Sequence, residues 1–101
     1  MDKIAALKIA KEFVDTVRDK FDLQKAILFG SFAKGTNHDD SDIDIALVIN
    51  NLKDSFGTQV KLMKLRRKID LRIEPHPFST SEFNNSNPVV TEILKNGLEI
   101  N

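Results

Sequence analysis

The chain has 101 residues, 41% hydrophobic and 30% charged, a balance that fits one folded domain over residues 1–101 and excludes a disordered or membrane-embedded chain. Lys plus Arg equals Asp plus Glu at 15 each, so no net field holds the backbone of a long nucleic acid, and bulk DNA or RNA binding is disfavoured. The absence of cysteine rules out disulfides and thiolate-bound zinc, and Asp2, Lys3, Lys8, Lys11 and Glu12 interrupt any signal-peptide core or membrane span, so the expected location is cytoplasmic.

From Asp2 to about Lys20 the apolar residues Ile4, Leu7, Val14, Val17 and Phe21 recur at helical spacing and predict an amphipathic helix. Lys25 to Gly30 is a short apolar run ending in glycine, the pattern of a buried strand entering a turn. A loop or short helix follows, through Asn37 and His38. Ser41 to Asn50 alternates, with Ile43, Ile45, Leu47 and Ile49 on one side and Asp42, Asp44, Ala46 and Val48 on the other, which predicts a second strand.

Asp54 or Ser55 is a cap for a helix carrying Phe56, Val60 and Met63, with Lys64, Arg66, Arg67 and Lys68 near its C-terminal end, where positive charge suits the helix dipole. Ile69 to Glu74 alternates again and predicts a third strand that Pro75 and Pro77 terminate. Asn87-Pro88 starts a last helix bearing Val90, Ile93 and Leu94; Gly97 closes it, and a short edge follows. This order describes an α/β (α+β) domain of two layers, a small mixed sheet with helices packed on one face.

The chemistry concentrates in three places. Leu28-Phe29-Gly30-Ser31-Phe32-Ala33-Lys34-Gly35 is a strand ending in a tight turn, where backbone N–H groups, a hydroxyl and the start of a short helix suit an anion such as phosphate. Alone, a Gly-Ser turn is common. Asp42 and Asp44, at i and i+2 on a strand, project from one face. Two such charges about 4 Å apart repel by roughly 1 kcal/mol in water and roughly 4 at an effective dielectric of 20, so the pair calls for a cation, and oxygen ligands favour magnesium or manganese. With Ile69, Leu71 and Ile73 facing the core, Asp70 shares the opposite face with Arg72 and Glu74. Three carboxylates, Asp42, Asp44 and Asp70, then suit a site for two metal ions.

Gly30-Ser31, ten intervening residues, then Asp42-Ile43-Asp44 resembles the signature of the minimal nucleotidyltransferases of the DNA polymerase β superfamily. Asp70 on a later strand supports the match, and the similarity in element order covers nearly the whole chain. The resemblance implies that Gly30 and Ser31 hold the outer phosphates of ATP, that Asp42 and Asp44 bind two Mg2+ ions, and that Asp70 binds one of them and helps deprotonate an acceptor hydroxyl. It implies in-line attack on the α-phosphate. Many relatives carry Arg twice in the turn; this chain has Phe32 and Lys34, leaving Lys34 as the cation for the triphosphate, without the fork of a guanidinium.

Small members of this family are often encoded beside a HEPN-domain toxin, to whose tyrosine they add AMP. The resemblance therefore implies an antitoxin with a HEPN-domain partner, and it leaves a homo-oligomer open. The rival readings are a binding module that neutralises its partner by occlusion, and transfer to a small molecule or RNA. The remaining polar features read as structural: His38, Asp39 and Asp40 as solvated loop, His76 as a strand-end residue, and Lys64 to Lys68 as a solvated face. The phenylalanines read as core, with Phe32 in the turn as the exception.

Overall fold

A computed structural model describes residues 1–101. Helix α1 (Lys3–Lys20) starts where the Asp2 carboxylate accepts the Ala5 N–H at 2.9 Å, a capping bond that satisfies one of the free donors of the first turn. Its buried stripe is Ala6, Ala10, Phe13, Val14 and Val17, spaced i, i+4, i+7, i+8 and i+11 as one helix face demands. Ile4, expected on that stripe, is 79% exposed because it lies two residues, and so about half a turn, away from Ala6.

The chain continues through β1 (Leu23–Phe29), α2 (Ser31–Lys34), β2 (Ile43–Ile49), α3 (Ser55–Arg66), β3 (Ile73–Ser79), α4 (Pro88–Asn96) and β4 (Leu98–Glu99). The four strands form one sheet in the order β3-β2-β1-β4. β1 runs antiparallel to β2 and β4, whereas β2 and β3 are parallel. Parallel neighbours need a crossover, which α3 supplies.

Alternation along the strands divides the core. Ala26, Leu28, Ile43, Ile45, Leu47, Ile49 and Ile73 pack with the α1 stripe, with Phe32 and with Leu62 of α3. On the other side, Ile27 and Ala46 pack with Ile93 of α4, and Phe29, Phe78 and Phe83 border them. The small mixed sheet is the expected one, but helices lie on both of its faces rather than on one. No helix is long and apolar enough to cross a membrane.

Two elements differ from the sequence reading. In α3 the residues Leu62 and Thr58 are buried, while Phe56 is 81% and Val60 37% exposed. Apolar residues occur on both sides of this helix, so its periodicity does not choose a face; the sheet takes Leu62, with Leu65 packed at the core edge. Arg66 is likewise no solvated residue. Its guanidinium donates to the carbonyls of Leu71 and Ile73, both at 2.9 Å, and so fastens the turn that leads into β3.

The third strand starts later than alternation suggested and runs through Pro75 and Pro77 instead of stopping there. Strand position explains this. β3 is an edge, and Ile43 N–H donates to Arg72 O at 2.8 Å, so even-numbered peptide groups face β2 and odd-numbered ones face outward. The prolines therefore fall where an N–H has no ladder partner. The outward carbonyl of Pro75 accepts from the Gln59 side chain at 3.1 Å.

Burial predicts opposite costs on the two sides of α3. Leu62→Ala is expected to lower stability by about 3 kcal/mol and Phe56→Ala to change it by less than about 0.5 kcal/mol, measured by urea unfolding. The reverse ranking would mean that the other face is packed.

Candidate active site

β2 is the central strand, and all of its residues except Asp44 are buried. Asp44 keeps 26% of its side chain exposed, and its Oδ1 lies 3.0 Å from His76 Nε2. His76 in turn meets the Phe29 ring edge-on, with centroids 5.0 Å apart. The residue opposite Asp44 on β1 is Phe29, and the one opposite it on β3 is Glu74. A carboxylate at the end of an interior strand is thus hydrogen-bonded and still reaches solvent, the conditions under which a charge is tolerated there.

Gly30 follows Phe29 and turns the chain away with φ 77°, a left-handed backbone that favours glycine. It also leaves no room for a side chain, because a Cβ at Gly30 would collide with Asp44 Oδ2. The turn and the carboxylate are therefore in contact. Ser31 opens α2, whose N-cap Gly30 makes no side-chain bond, so the first N–H groups of this turn have no partner in the helix. Phe32 is 2% exposed and part of the main core; it anchors α2 and is no nucleotide contact. Lys34 forms an ion pair with Glu92 of α4 at 2.6 Å, and Lys34 together with Asn96 holds the Glu92 carboxyl below its usual range.

Asp42 is exposed immediately before β2, two residues from Asp44. The loop ahead of it is closed by Ser41, whose Oγ accepts the His38 N–H at 2.9 Å and whose N–H donates to His38 O at 3.0 Å. Asp39 and Asp40 stay exposed at its tip, as a solvated loop requires.

Asp70 is not on β3 and does not stand beside Asp42 and Asp44. It lies in the turn before the strand, with a side chain only 15% exposed. Its carboxylate accepts from the Arg72 guanidinium at 2.9 and 2.7 Å and from the Arg72 N–H at 2.9 Å. Those side-chain bonds, more than the Coulomb attraction, hold the Asp70 carboxyl below its usual range. The strand carboxylate facing Asp44 is Glu74, which lies 3.7 Å from Arg66. No three His, Asp or Glu side chains converge to ligating distance, with Asp70 held by Arg72 and Glu74 beside Arg66. Glu74 and His76 are the site residues missed from sequence; the signal was the alternation that continues past Pro75 as Glu74, His76 and Phe78.

Residues 11–101 match the model of the family described as polymerase beta, nucleotidyltransferase. The chain belongs to this nucleotidyltransferase family. Two candidate protein adenylyltransferases of Methanocaldococcus jannaschii are similar to it. One is 46% identical over 43 residues, 41% of this chain and 43% of the relative; the match thus spans less than half of that protein. The other is 28% identical over 75 residues, 73% of each. Among solved structures, a candidate nucleotidyltransferase from Sulfolobus solfataricus superposes with TM-score 0.72 at 27% identity, over 96% of this chain and 80% of that one. A toxin–antitoxin structure with AMP-PNP superposes with TM-score 0.67 at 26% identity, over 89% and 71%. A mutant MntA–HpeT toxin–antitoxin structure, at 23% identity and TM-score 0.68 over 90% and 71%, shares the fold.

Because its folded pKa is depressed, Asp70 contributes stability above its unfolded pKa of about 3.9 and loses it as pH falls through the folded value. Asp70→Asn is therefore expected to destabilise this nucleotidyltransferase by about 1 kcal/mol at pH 7, with Arg72 half exposed and partly screened. The deficit should fade toward pH 3 in urea titrations; a deficit independent of pH would contradict the ion pair.

Proposed function

We propose that this chain is an adenylyltransferase that moves AMP from ATP to a hydroxyl of a partner protein, a tyrosine of a HEPN-domain toxin, and thereby acts as an antitoxin. The observation that carries the reading is the contact between the Gly30 turn and Asp44, which joins an anion-binding turn to a carboxylate at one end of one sheet. Family membership, relatives named for protein adenylyl transfer and a similar toxin–antitoxin structure with AMP-PNP support it.

In this reading Gly30 and Ser31 receive the outer phosphates through backbone N–H groups and the Ser31 hydroxyl. Lys34 adds a positive charge once it leaves Glu92, an exposed pair that is worth little and exchanges readily. Asp42 and Asp44 would hold a divalent metal, for which an all-carboxylate donor set suits magnesium. Metal bound there would neutralise charge on the phosphates during transfer. His76 keeps Asp44 in one rotamer. Glu74, registered opposite Asp44 across the parallel pair, takes the role that sequence reading gave to Asp70: the third carboxylate, which accepts the acceptor proton once it leaves Arg66. The acceptor oxygen then bonds to the α-phosphorus, the bond from that phosphorus to the bridging oxygen breaks, and pyrophosphate leaves.

The test is transfer of radiolabelled AMP from ATP to a co-expressed HEPN-domain protein, with and without magnesium. Asp42→Asn combined with Asp44→Asn is expected to lower the rate by 10³-fold or more, and Glu74→Gln by about 10²-fold, whereas Asp70→Asn leaves it within a few-fold. Undiminished labelling by the double variant would sink the proposal. Continued suppression of toxicity by an unlabelling double variant would favour occlusion instead.

A further inference from the structure

The outer side of α3 carries apolar and basic residues that neither the core nor the active site uses. Phe56 and Val60, both exposed, lie at i and i+4, with Lys64 and Arg67 at i+8 and i+11, so the four form one stripe. Beside them runs an open cleft of about 400 Å³, lined by Lys20 and Phe21 at the end of α1 and by Lys61, Lys64 and Leu65 of α3. Lys20, Lys61, Lys64 and Arg67 take part in none of the ion pairs. Among neighbouring acids, Asp54 is occupied capping α3 at Gly57 N–H and Asp22 accepts from Asn50; Asp19 is exposed beside Lys20. Lys61 with Lys64, Lys64 with Arg67, and Lys64 with Lys68 are like-charge neighbours at helical spacing, which repel one another.

We propose that this cleft docks an acidic amphipathic helix of a partner protein. Phe21 and Leu65, partly buried against the core, form the apolar floor that accepts the anchors of such a helix. The surrounding ammonium and guanidinium groups accept carboxylates on the flanks of those anchors, which relieves their mutual repulsion and sets orientation. Lysine stems extend the apolar floor while their heads reach the acids. A nucleic acid fits less well, since Val60 and Leu65 offer no stacking face and a single guanidinium serves the stripe. The cleft lies on the α1 and α3 side of the sheet, whereas Asp44 faces the side covered by α4. A docked helix therefore leaves the nucleotide site open, and the inference does not depend on the transfer reaction.

The probe is a synthetic helical peptide of about 16 residues with Leu at i, i+4 and i+7 and Glu on its flanks, titrated into the full ¹⁵N-labelled chain without nucleotide. Chemical-shift changes are expected at Lys20, Phe21, Lys61, Lys64 and Leu65. Lys61→Glu combined with Lys64→Glu should weaken binding at least tenfold while the spectrum of the free protein away from α3 stays unchanged. Absence of shifts, shifts centred on Asp44, or equal binding of a peptide with Lys in place of Glu would overturn the proposal. Tighter binding of a short RNA to the same residues would overturn it in favour of nucleic acid. Failure of AMP transfer would leave this titration unaffected, so the two readings fail separately.

Discussion

The contact between Gly30 and Asp44 is the constraint around which the molecule is organised. It follows from one antiparallel register, Phe29 opposite Asp44, and from the absence of a side chain at Gly30, which lets the turn close against the carboxylate. Placing a charge on the central strand is costly unless it is bonded and wet. His76 provides the bond, the open end of the sheet provides the water, and the buried residues on either side keep the strand from moving. Phe32 strengthens the arrangement from the other side: by filling the core it fixes α2, and with it the orientation of the turn.

β3 shows how an edge strand serves the centre. Its prolines occupy outward peptide positions, so they remove donors that have no partner and also blunt the edge against pairing with other chains. The even positions that remain bonded to β2 are the ones that carry Glu74 and His76 to the Asp44 face. Arg66 holds the entry to this strand through two carbonyls, and the Asp70–Arg72 pair makes the same turn rigid. Asp70, a candidate metal ligand on sequence, is bonded to Arg72 in the turn that leads into this strand.

Equal numbers of acids and bases conceal an uneven distribution. Asp42 precedes β2, and Asp44 and Glu74 are registered across β2 and β3, while lysines in no ion pair and Arg67 line α3 beyond the opposite face of the sheet. Net charge describes long-range attraction to polyanions, but the local fields differ in sign across the molecule. That separation gives a small domain two surfaces with different chemistry.

Local pattern was sufficient for much of the structure. The caps at Asp54 and Asn87, the buried run of β1, the alternation of β2 and the turn at Gly30-Ser31 are written in residues that lie within a few positions of one another, and strand parity with the family resemblance of the ten-residue gap joined that turn to Asp42 and Asp44. The choice of face on α3, the start of β3, the ion pair of Lys34 and the capture of Asp70 were not legible, because each is decided by a partner elsewhere in the chain. His76 and Asp44 are 32 residues apart, and the parallel register that unites them exists only once α3 has crossed over the sheet. By itself the sequence pointed to the family and to the carboxylates Asp42 and Asp44 at the start of β2. Tertiary structure decided that Glu74, not Asp70, is registered with Asp44, since alternation specifies which side of a strand a residue takes but not where the strand begins or what it pairs with.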